Sequence, residues 1–239
     1  MYSVKRAIIL AAGMGKRMNP ITLHIPKPLV SVNGFRMIDT IINALHHNEI
    51  YEIYIVVGYK KEEFASFKNV EGITLIENPD YDISNNIASL YYARNHLEDA
   101  LILDGDQIIN TPEILKKSFC KSGYNAVWTD TPTDEWLMQV ENNKVISCSR
   151  TGGSSGWQLY SVSRWTKEDS RKLRSLLEQE YLVEKKRDIF WDDIALFLHP
   201  EEFDLGITEM KHGDIIEIDN IEELAALDNS YNILTGESK

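Results

Sequence analysis

The feature that most constrains the fold is the alternation of short apolar strands with helical segments over the first half of the chain. Residues 7–10 form a continuous apolar run that ends at glycines, and residues 53–57 form a β-branched run that ends at Gly58. Runs of this kind are typical of parallel strands buried on both faces. Helical stripes at 37–48 and 87–97, a short helix at 60–67, and further strands at 73–76 and 101–103 complete the pattern. Strands separated by helical segments predict βαβ units and a mostly parallel sheet.

The second half of the chain has a different pattern. Short strands joined by turns are predicted at 125–129, 137–141, 144–149 and 157–162. Helices are predicted at 167–181 and 188–198, and the chain closes with a strand at 215–218 and a helix at 221–227. Thr111 before Pro112 predicts a helix N-cap, and Asn220 with Glu223 fits a capping box. We therefore expect one Rossmann-like α/β domain over 1–239, with a mixed, mostly parallel sheet flanked by helices and a small β-rich insertion in the second half.

Charge and cysteine content restrict the classes of function. The chain has 25 Lys and Arg against 37 Asp and Glu, a formal net charge of −12. This balance argues against nucleic-acid binding and against a basic membrane-surface face. No apolar run approaches the roughly 20 residues of a membrane span, and no signal-peptide cleavage site follows the first apolar run. Cys120 and Cys148 form no CxxC pattern, which favours two reduced thiols in a cytoplasmic protein.

A glycine-rich segment directly follows the first predicted strand. It reads Leu10-Ala11-Ala12-Gly13-Met14-Gly15-Lys16-Arg17. Glycines at a strand exit allow backbone N–H groups to approach a phosphate, and the two cations that follow add positive charge. The segment is neither a Walker A motif nor the dinucleotide fingerprint, because Met18 stands where the third glycine would be. Taken alone, it fits a phosphate cradle or an ordinary glycine turn.

Two pairs of carboxylates have the spacing of side chains that share one side of an extended chain. Asp104 and Asp106 follow the predicted strand at 101–103, and Glu217 and Asp219 flank Ile218 near the C-terminus. Ligands of open α/β sheets bind at the carboxyl ends of strands, which places Asp104 and Asp106 at a candidate site. The alternative interpretations are a solvated acidic turn for the first pair and a helix-start acid for Asp219.

Two tryptophans stand beside carboxylates in otherwise polar segments. These are Trp136, after Glu135, and Trp191, before Asp192. An aromatic ring next to a carboxylate is an arrangement that can hold a quaternary ammonium group. Core packing is the alternative, and we expect it for Trp128 and Trp165.

Residues 10–29 carry the pattern L-A-A-G-x-G-x-R-M-x-P-x-T-(x3)-P-K-P-L. This resembles the signature of the nucleotide-sugar pyrophosphorylase-like nucleotidyltransferases. The resemblance implies that the glycine loop holds a nucleoside triphosphate, that Arg17 contacts the departing pyrophosphate, and that Lys27 contacts the α-phosphoryl region. These roles suit phosphoryl-type transfer, in which catalysis is mostly positioning and cation placement.

Further motifs narrow the resemblance to the bacterial CTP:phosphocholine cytidylyltransferases, over nearly the whole chain. They are Asn85-Asn86-Ile87-Ala88-Ser89-Leu90, Glu135-Trp136, Trp191-Asp192 and Glu217-Ile218-Asp219. The resemblance implies transfer of CMP from CTP to phosphocholine, giving CDP-choline and pyrophosphate. Two features depart from the pattern: no glycine-rich sugar-binding motif is found, and Phe190 stands where a tyrosine is expected. Acceptors such as 2-aminoethylphosphonate, phosphoethanolamine or a sugar 1-phosphate, and a non-enzymatic nucleotide sensor, remain alternatives.

The resemblance also implies a set of site residues, with residues 1–124 binding the nucleotide and residues 125–239 binding the acceptor. The expected catalytic residues are Arg17 and Lys27. The expected nucleotide-binding residues are Leu10, Ala11, Ala12, Gly13, Gly15, Lys16, Asn85, Ser89 and Asp104. The expected acceptor-binding residues are Trp136, Trp191 and Asp192, and the expected ligands of a Mg²⁺ cofactor are Asp106, Glu217 and Asp219. The expected partners are small molecules, with no nucleic acid and no membrane, and the sequence does not predict an oligomeric state.

Overall fold

The computed structural model describes residues 1–234. The strands are β1 (Tyr2–Ser3), β2 (Arg6–Ala11), β3 (Ser31–Val32), β4 (Phe35–Arg36), β5 (Glu52–Val57), β6 (Ile73–Glu77), β7 (Ala100–Asp104), β8 (Gln107–Ile109), β9 (Ser118–Phe119), β10 (Gly123–Thr129), β11 (Leu137–Glu141), β12 (Lys144–Ser149), β13 (Gly156–Arg164), β14 (Gly206–Met210) and β15 (Ile215–Glu217). The α-helices are α1 (Met37–His47), α2 (Ile87–Ala93), α3 (Lys167–Glu178) and α4 (Ile221–Leu227).

Shorter helical turns connect these elements. Those of 3-10 type are Lys16–Met18, Ile21–Leu23, Lys27–Leu29, Lys61–Phe67, Arg94–His96, Pro112–Leu115, Pro200–Glu202 and Asn229–Leu234, and those of π type are Gln179–Val183 and Ile194–Leu198. None of the helices within residues 1–234 has the length and apolar character needed to span a bilayer.

The strands of both halves of the chain form one nine-stranded sheet. Its first part is parallel, in the order β6–β5–β2–β7. The long strand β13 pairs antiparallel with β7, β10 and β11, and β10 pairs parallel with β14. The predicted Rossmann-like α/β fold with a mixed sheet is confirmed. The strands predicted as a β-rich insertion extend the main sheet because β13 continues it directly from β7.

The central strand β2 is buried on both faces, as its continuous apolar run predicts. Ile9 packs into a core that includes Ile41 of α1, whereas Ile8 packs on the opposite face with Leu90 of α2. Alternate side chains of a strand point to opposite faces, so β2 has to be apolar throughout. This double packing fixes the position at which β2 ends and the glycine-rich segment begins.

The structure contradicts three local predictions. Trp128 is 50% exposed, with its ring against Trp157, whereas Trp165 is fully buried as expected. Thr111 does not cap a helix, because its hydroxyl donates to Asp214 and the residues after it form only a 3-10 turn. The predicted cap before α4, in contrast, is confirmed, since Oδ1 of Asn220 accepts from the backbone N–H of Glu223 at 2.8 Å.

The third error concerns the helix predicted at 188–198. Only its last part, Ile194–Leu198, is helical, as a single π turn. The residues before it form a loop, in which a carboxylate oxygen of Asp193 accepts from the backbone N–H of Phe190 at 2.9 Å. A second bond runs from the N–H of Trp191 to Oδ1 of Asn86, also 2.9 Å. These side-chain acceptors satisfy the N–H groups of Phe190 and Trp191 while the two residues lie in a loop.

Candidate active site

The carboxyl edge of the parallel strands carries two adjoining cavities, of about 530 and 300 Å³. They share a set of residues that lies between them: Arg17, Asn86, Asp104, Asp106 and Asp219. The register of β2 and β7 places Leu10 opposite Asp104, so the glycine segment and the first carboxylates leave the sheet side by side. Pairing of β15 with β8 then brings Glu217 opposite Gln107 at the same edge.

All the predicted nucleotide-binding residues line the larger cavity. They are Leu10, Ala11, Ala12, Gly13, Gly15, Lys16, Asn85, Ser89 and Asp104, and Arg17, Lys27, Asp106 and Asp219 line it as well. The structure therefore brings together residues from β2, from the 3-10 turns that follow it, from α2 and from β7. We call this space the glycine-loop cavity.

The two glycines of the loop are needed for different structural reasons. Gly15 has a left-handed backbone, with φ of 61°, and a Cβ there would lie 3.0 Å from Thr22 and 3.1 Å from Lys27. Its carbonyl also accepts from the Thr22 hydroxyl at 2.9 Å. Gly13, in contrast, has no protein atom within 4 Å of the position that a Cβ would take. Gly15 is thus required by packing, whereas Gly13 leaves backbone open to the cavity.

Lys27 lies at the centre of an ion-pair network. Its Nζ is 2.6 Å from Oδ2 of Asp106 and 3.1 Å from Oδ1 of Asp219. Arg17 contacts the same Oδ1 of Asp219 at 2.9 Å. Burial by itself lowers the pKa of Lys27, but the charges and hydrogen bonds of Asp106 and Asp219 outweigh it and raise this pKa above its usual value. Lys27 is therefore a permanent cation at the floor of the cavity.

Two further carboxyl groups of the site, those of Glu217 and Asp104, have no ion pair with Lys27 or Arg17. Glu217 accepts a hydrogen bond from Gln107 at 2.7 Å. Burial raises the pKa of Glu217 to about 8, and the charges of Asp106 and Asp104 add to this rise while Gln107 opposes it. Burial likewise raises the pKa of Asp104 well above its usual range, with the charges of Asp106 and Asp192 adding to it. The folded protein therefore favours the protonated, uncharged form of both carboxyl groups, because Lys27 and Arg17 pair with Asp106 and Asp219 and not with them.

The three predicted Mg²⁺ ligands are near one another but not assembled. Asp106, Glu217 and Asp219 all line the smaller cavity. Within residues 1–234, however, no group of three or more His, Cys, Asp or Glu side chains has an arrangement that could hold a metal ion. The Lys27 ammonium bridges Asp106 and Asp219, so both carboxylates already have a cationic partner.

The smaller cavity is bounded on its far side by aromatic and acidic side chains. We call it the acceptor cavity, after the expectation from sequence. Trp136 and Phe190 meet edge to face there, with ring centroids 5.6 Å apart. Asp192 lines it too, although only 6% exposed, and Oδ1 of Asp192 has no hydrogen-bond partner among the described residues. Burial raises the pKa of Asp192 to about 7, with Tyr124 opposing the shift and the Asp193 charge adding to it.

The expected placement of Trp191 in this cavity does not agree with the structure. Trp191 is only 2% exposed and packs in the core, with its ring centroid 6.2 Å from that of Tyr124 and 5.9 Å from that of Trp165. Phe190, which is 43% exposed, lines the cavity instead. The two residues are adjacent in a loop, so their side chains point in different directions and no periodicity shows which one faces the cavity.

Several lining residues were not predicted. In the glycine-loop cavity they are Met14, Pro28, Tyr81, Asp82, Ser84 and Asn86, and in the acceptor cavity they are Asn86, Glu135, Leu159, Ser161 and Phe190. Asn86 and Glu135 belong to motifs quoted above but were not chosen as site residues, and Phe190 directly precedes the Trp191-Asp192 motif. Ser161 lies within β13 and carries no signal in the sequence.

The chain has a mixed α/β sheet, and a glycine loop with two cations lies at the carboxyl edge of its parallel strands. Carboxylates and a second cavity lie beside this loop. This combination is that of a nucleotidyltransferase. Residues 7–182 match the MobA-like NTP transferase domain, and the chain belongs to that family of nucleotidyltransferases.

Relatives extend over almost the full chain. A 2-aminoethylphosphonate cytidylyltransferase of Lancefieldella rimae is 35% identical over 228 residues, covering 94% of this chain and 92% of the relative. A choline-phosphate cytidylyltransferase of Streptococcus pneumoniae is 30% identical, covering 93% and 96%. The solved structure of the S. pneumoniae CTP:phosphocholine cytidylyltransferase matches with a TM-score of 0.88 at 31% identity, covering 95% of this chain and 99% of that one.

Proposed function

We propose that this protein transfers CMP from CTP to a small phosphate or phosphonate that carries a cationic head group, with phosphocholine as the acceptor. One observation carries the proposal: a cation-lined glycine-loop cavity and an aromatic, acidic cavity meet at Arg17, Asp104, Asp106 and Asp219. A triphosphate in the first cavity and an ammonium head in the second would bring the two phosphoryl groups together at that junction. The names of the two relatives above support the same reaction.

The chemistry needs positioning more than proton transfer. A phosphate oxygen of the acceptor attacks the α-phosphorus of CTP, and the bond from that phosphorus to the pyrophosphate oxygen breaks. The glycine loop holds the triphosphate through backbone N–H groups, and Lys16 and Arg17 balance the β and γ charges. Lys27, held by two carboxylates, is placed to stabilise the charge that builds on the α-phosphoryl oxygens. No general base is required, since the nucleophile is already an anion.

A magnesium ion fits the chemistry of the donor set. Mg²⁺ prefers oxygen ligands and usually takes one or two carboxylates together with substrate phosphate oxygens. We propose Asp106 and Asp219 as its carboxylates, with Glu217 beside them, so a preassembled set of three is not needed. The ion would neutralise phosphoryl charge at the junction of the cavities.

The acceptor cavity suits a cationic head group. Trp136 and Phe190 provide aromatic faces for a trimethylammonium, and Asp192 provides a nearby negative charge. A second candidate, 2-aminoethylphosphonate, is favoured by a specific observation: Oδ1 of Asp192 is buried and has no hydrogen-bond partner among residues 1–234. A primary ammonium could donate to that oxygen, whereas a trimethylammonium has no N–H.

We also infer a cytoplasmic location, consistent with the free thiols of Cys120 and Cys148.

Pyrophosphate release tests the proposal directly. The protein would be given CTP and Mg²⁺ with phosphocholine, 2-aminoethylphosphonate, phosphoethanolamine or glucose 1-phosphate, in parallel reactions. Preference for phosphocholine would support the reaction and the aromatic head-group site. Preference for 2-aminoethylphosphonate or phosphoethanolamine would keep the reaction and make Asp192 the main specificity residue. No release with any acceptor would contradict the proposed function and favour a nucleotide sensor.

A further inference from the structure

One ion pair lies behind the wall of the acceptor cavity and is used by none of the steps above. Arg150, in the connection between β12 and β13, donates from two nitrogens to Oδ1 of Asp193, at 2.6 and 3.0 Å. The Asp193 side chain is 4% exposed, while that of Arg150 is 46% exposed. Two charge-assisted bonds to one buried oxygen hold the guanidinium in a defined orientation. Neither residue lines the cavity itself.

Asp193 transmits this restraint to one wall of the cavity. Its other carboxylate oxygen, Oδ2, accepts from the backbone N–H of Phe190 at 2.9 Å. The loop that presents Phe190 and Asp192 is therefore closed on itself by the same carboxylate that Arg150 binds. Pairing with Arg150 also neutralises Asp193, so Asp192 is the uncompensated member of the adjacent pair.

Arg150 contacts the other wall through its guanidinium. The carbon at its centre lies 3.7 Å from the ring centroid of Phe197 and 5.8 Å from that of Trp136, both within cation–π range. Trp136 in turn packs edge-on against Phe197, at 5.3 Å, and against Phe190, at 5.6 Å. One guanidinium thus connects both aromatic side chains of the cavity, Trp136 by direct contact and Phe190 through Asp193.

We propose that Arg150 and Asp193 are positioning residues that set the spacing of Trp136 and Phe190 and so determine which ammonium head group the enzyme accepts. The inference rests on the proposed function, since it takes the acceptor cavity to hold that head group. A guanidinium has the planar, forked geometry to bond Asp193 and stack on rings at once, which an ammonium lacks. The effect should therefore fall on acceptor binding and on discrimination between acceptors, and spare the nucleotide.

The test compares Arg150→Met and Arg150→Lys with a matched control. Arg94 offers the control, because it also bridges a carboxylate, Glu178 at 3.0 Å, and stacks on an aromatic ring, Tyr91 at 3.9 Å, without lining either cavity. Steady-state KM and kcat would be measured with CTP and with phosphocholine and 2-aminoethylphosphonate as acceptors. For Arg150→Met we expect KM for the preferred acceptor to rise about tenfold and the preference between the two acceptors to change, with KM for CTP unaltered. Arg94→Met should leave all three quantities as in the wild type.

The possible outcomes separate the positioning role of Arg150 from the proposed function. Unchanged acceptor KM in folded Arg150→Met, or an equal rise for CTP and acceptor, would overturn the positioning role while wild-type turnover upholds the proposed function. If Arg150→Met does not fold, Arg150→Lys takes its place, with a smaller rise in acceptor KM expected and no rise counting against the inference. Absence of wild-type turnover with every acceptor would overturn both the proposed function and this inference.

Discussion

The Nζ of Lys27 lies 2.6 Å from Oδ2 of Asp106, although 79 positions separate the two residues in the chain. The same ammonium contacts Asp219, which lies 192 positions away. Lys27 is thus fixed by carboxylates from two other segments before any substrate is bound. Preorganised charge of this kind stabilises a transition state without reorganisation at the moment of reaction.

Replacement of Lys27 by methionine should lower kcat more than it changes binding of CTP. The loss expected for a preorganised charge at the reacting phosphoryl group is on the order of 10²–10³-fold in kcat. Steady-state kinetics with saturating CTP, acceptor and Mg²⁺ would measure it. Lys16→Met is the control. Lys16 lines the same cavity but belongs to the glycine loop, whereas Lys27 is held by Asp106 and Asp219. We expect Lys16→Met to raise KM for CTP instead. A kcat for Lys27→Met within a few-fold of the wild type would refute the assigned role.

Substitution of Asp106 tests the proposed metal site. Asp106→Ala removes one of the two proposed carboxylate ligands, so turnover should fall steeply even at saturating Mg²⁺. It also removes a partner of Lys27, and for that reason Asp106→Asn, which keeps a neutral oxygen near the ammonium, should be measured alongside it. Turnover of both variants within a few-fold of the wild type would show that Asp106 does not bind the ion.

The two loop glycines should respond to alanine in opposite ways. At Gly13 a Cβ meets no protein atom within 4 Å, so Gly13→Ala should fold with unchanged stability and raise KM for CTP. At Gly15, with φ of 61°, a Cβ approaches Thr22 and Lys27, so Gly15→Ala should lower the free energy of unfolding. The left-handed backbone alone costs about 1–2 kcal/mol for a residue with a Cβ. Urea unfolding and CTP kinetics on both variants would check this contrast, and equal effects on stability would contradict it.

Asp192 should make stability depend on pH. Its pKa is raised by burial from the ordinary value of 3.8 to about 7 in the folded protein. Between these values the unfolded chain releases the proton that the folded protein keeps, so the free energy of unfolding falls as pH rises through this range. The full loss above pH 7 is about 4 kcal/mol, and Asp192→Asn should lack it.

Urea unfolding of the wild type and of Asp192→Asn at several pH values from 4 to 8 would measure this difference. The gap between the two proteins should shift in favour of Asp192→Asn as pH rises. A gap that stays constant over the whole range would show that Asp192 does not titrate with a raised pKa. The measurement needs neither substrate nor metal, so it is independent of the proposed reaction.

Trp136 and Trp191 should separate binding from folding. Trp136 lines the acceptor cavity, so Trp136→Ala should raise KM for phosphocholine more than KM for CTP. Trp191 lies in the core, so Trp191→Ala should reduce the free energy of unfolding by about 3–5 kcal/mol, as usual for removal of a buried aromatic ring. Kinetics and chemical unfolding on both variants would measure the two effects. An equal rise of both KM values for Trp136→Ala would indicate a folding role for that residue.

Much of the glycine-loop cavity could be predicted from the sequence, because its determinants are local. An uninterrupted apolar run predicts a buried strand, and the carboxyl ends of parallel strands lie at one edge of a sheet. The segment from Leu10 to Arg17 therefore had a predictable place as well as a predictable chemistry. The resemblance in motifs supplied Lys27, Asn85 and Ser89, which the strand pattern could not.

The acceptor cavity depended on tertiary structure. Sequence reasoning marked the Trp191-Asp192 pair but chose the wrong ring, because a loop held by Asn86 and Asp193 turns Phe190 outward and buries Trp191. It also could not show that Lys27 pairs with both Asp106 and Asp219.

The sequence by itself determined the α/β architecture, the glycine loop and the carboxylates at the end of the strand at 101–103, since each follows from a pattern of neighbouring residues. Only the tertiary structure decided which of two adjacent loop side chains faces the cavity and which distant charges meet. Loops have no repeating geometry, and contacts between segments as far apart as Lys27 and Asp219 are set by how the elements pack rather than by the residues next to them.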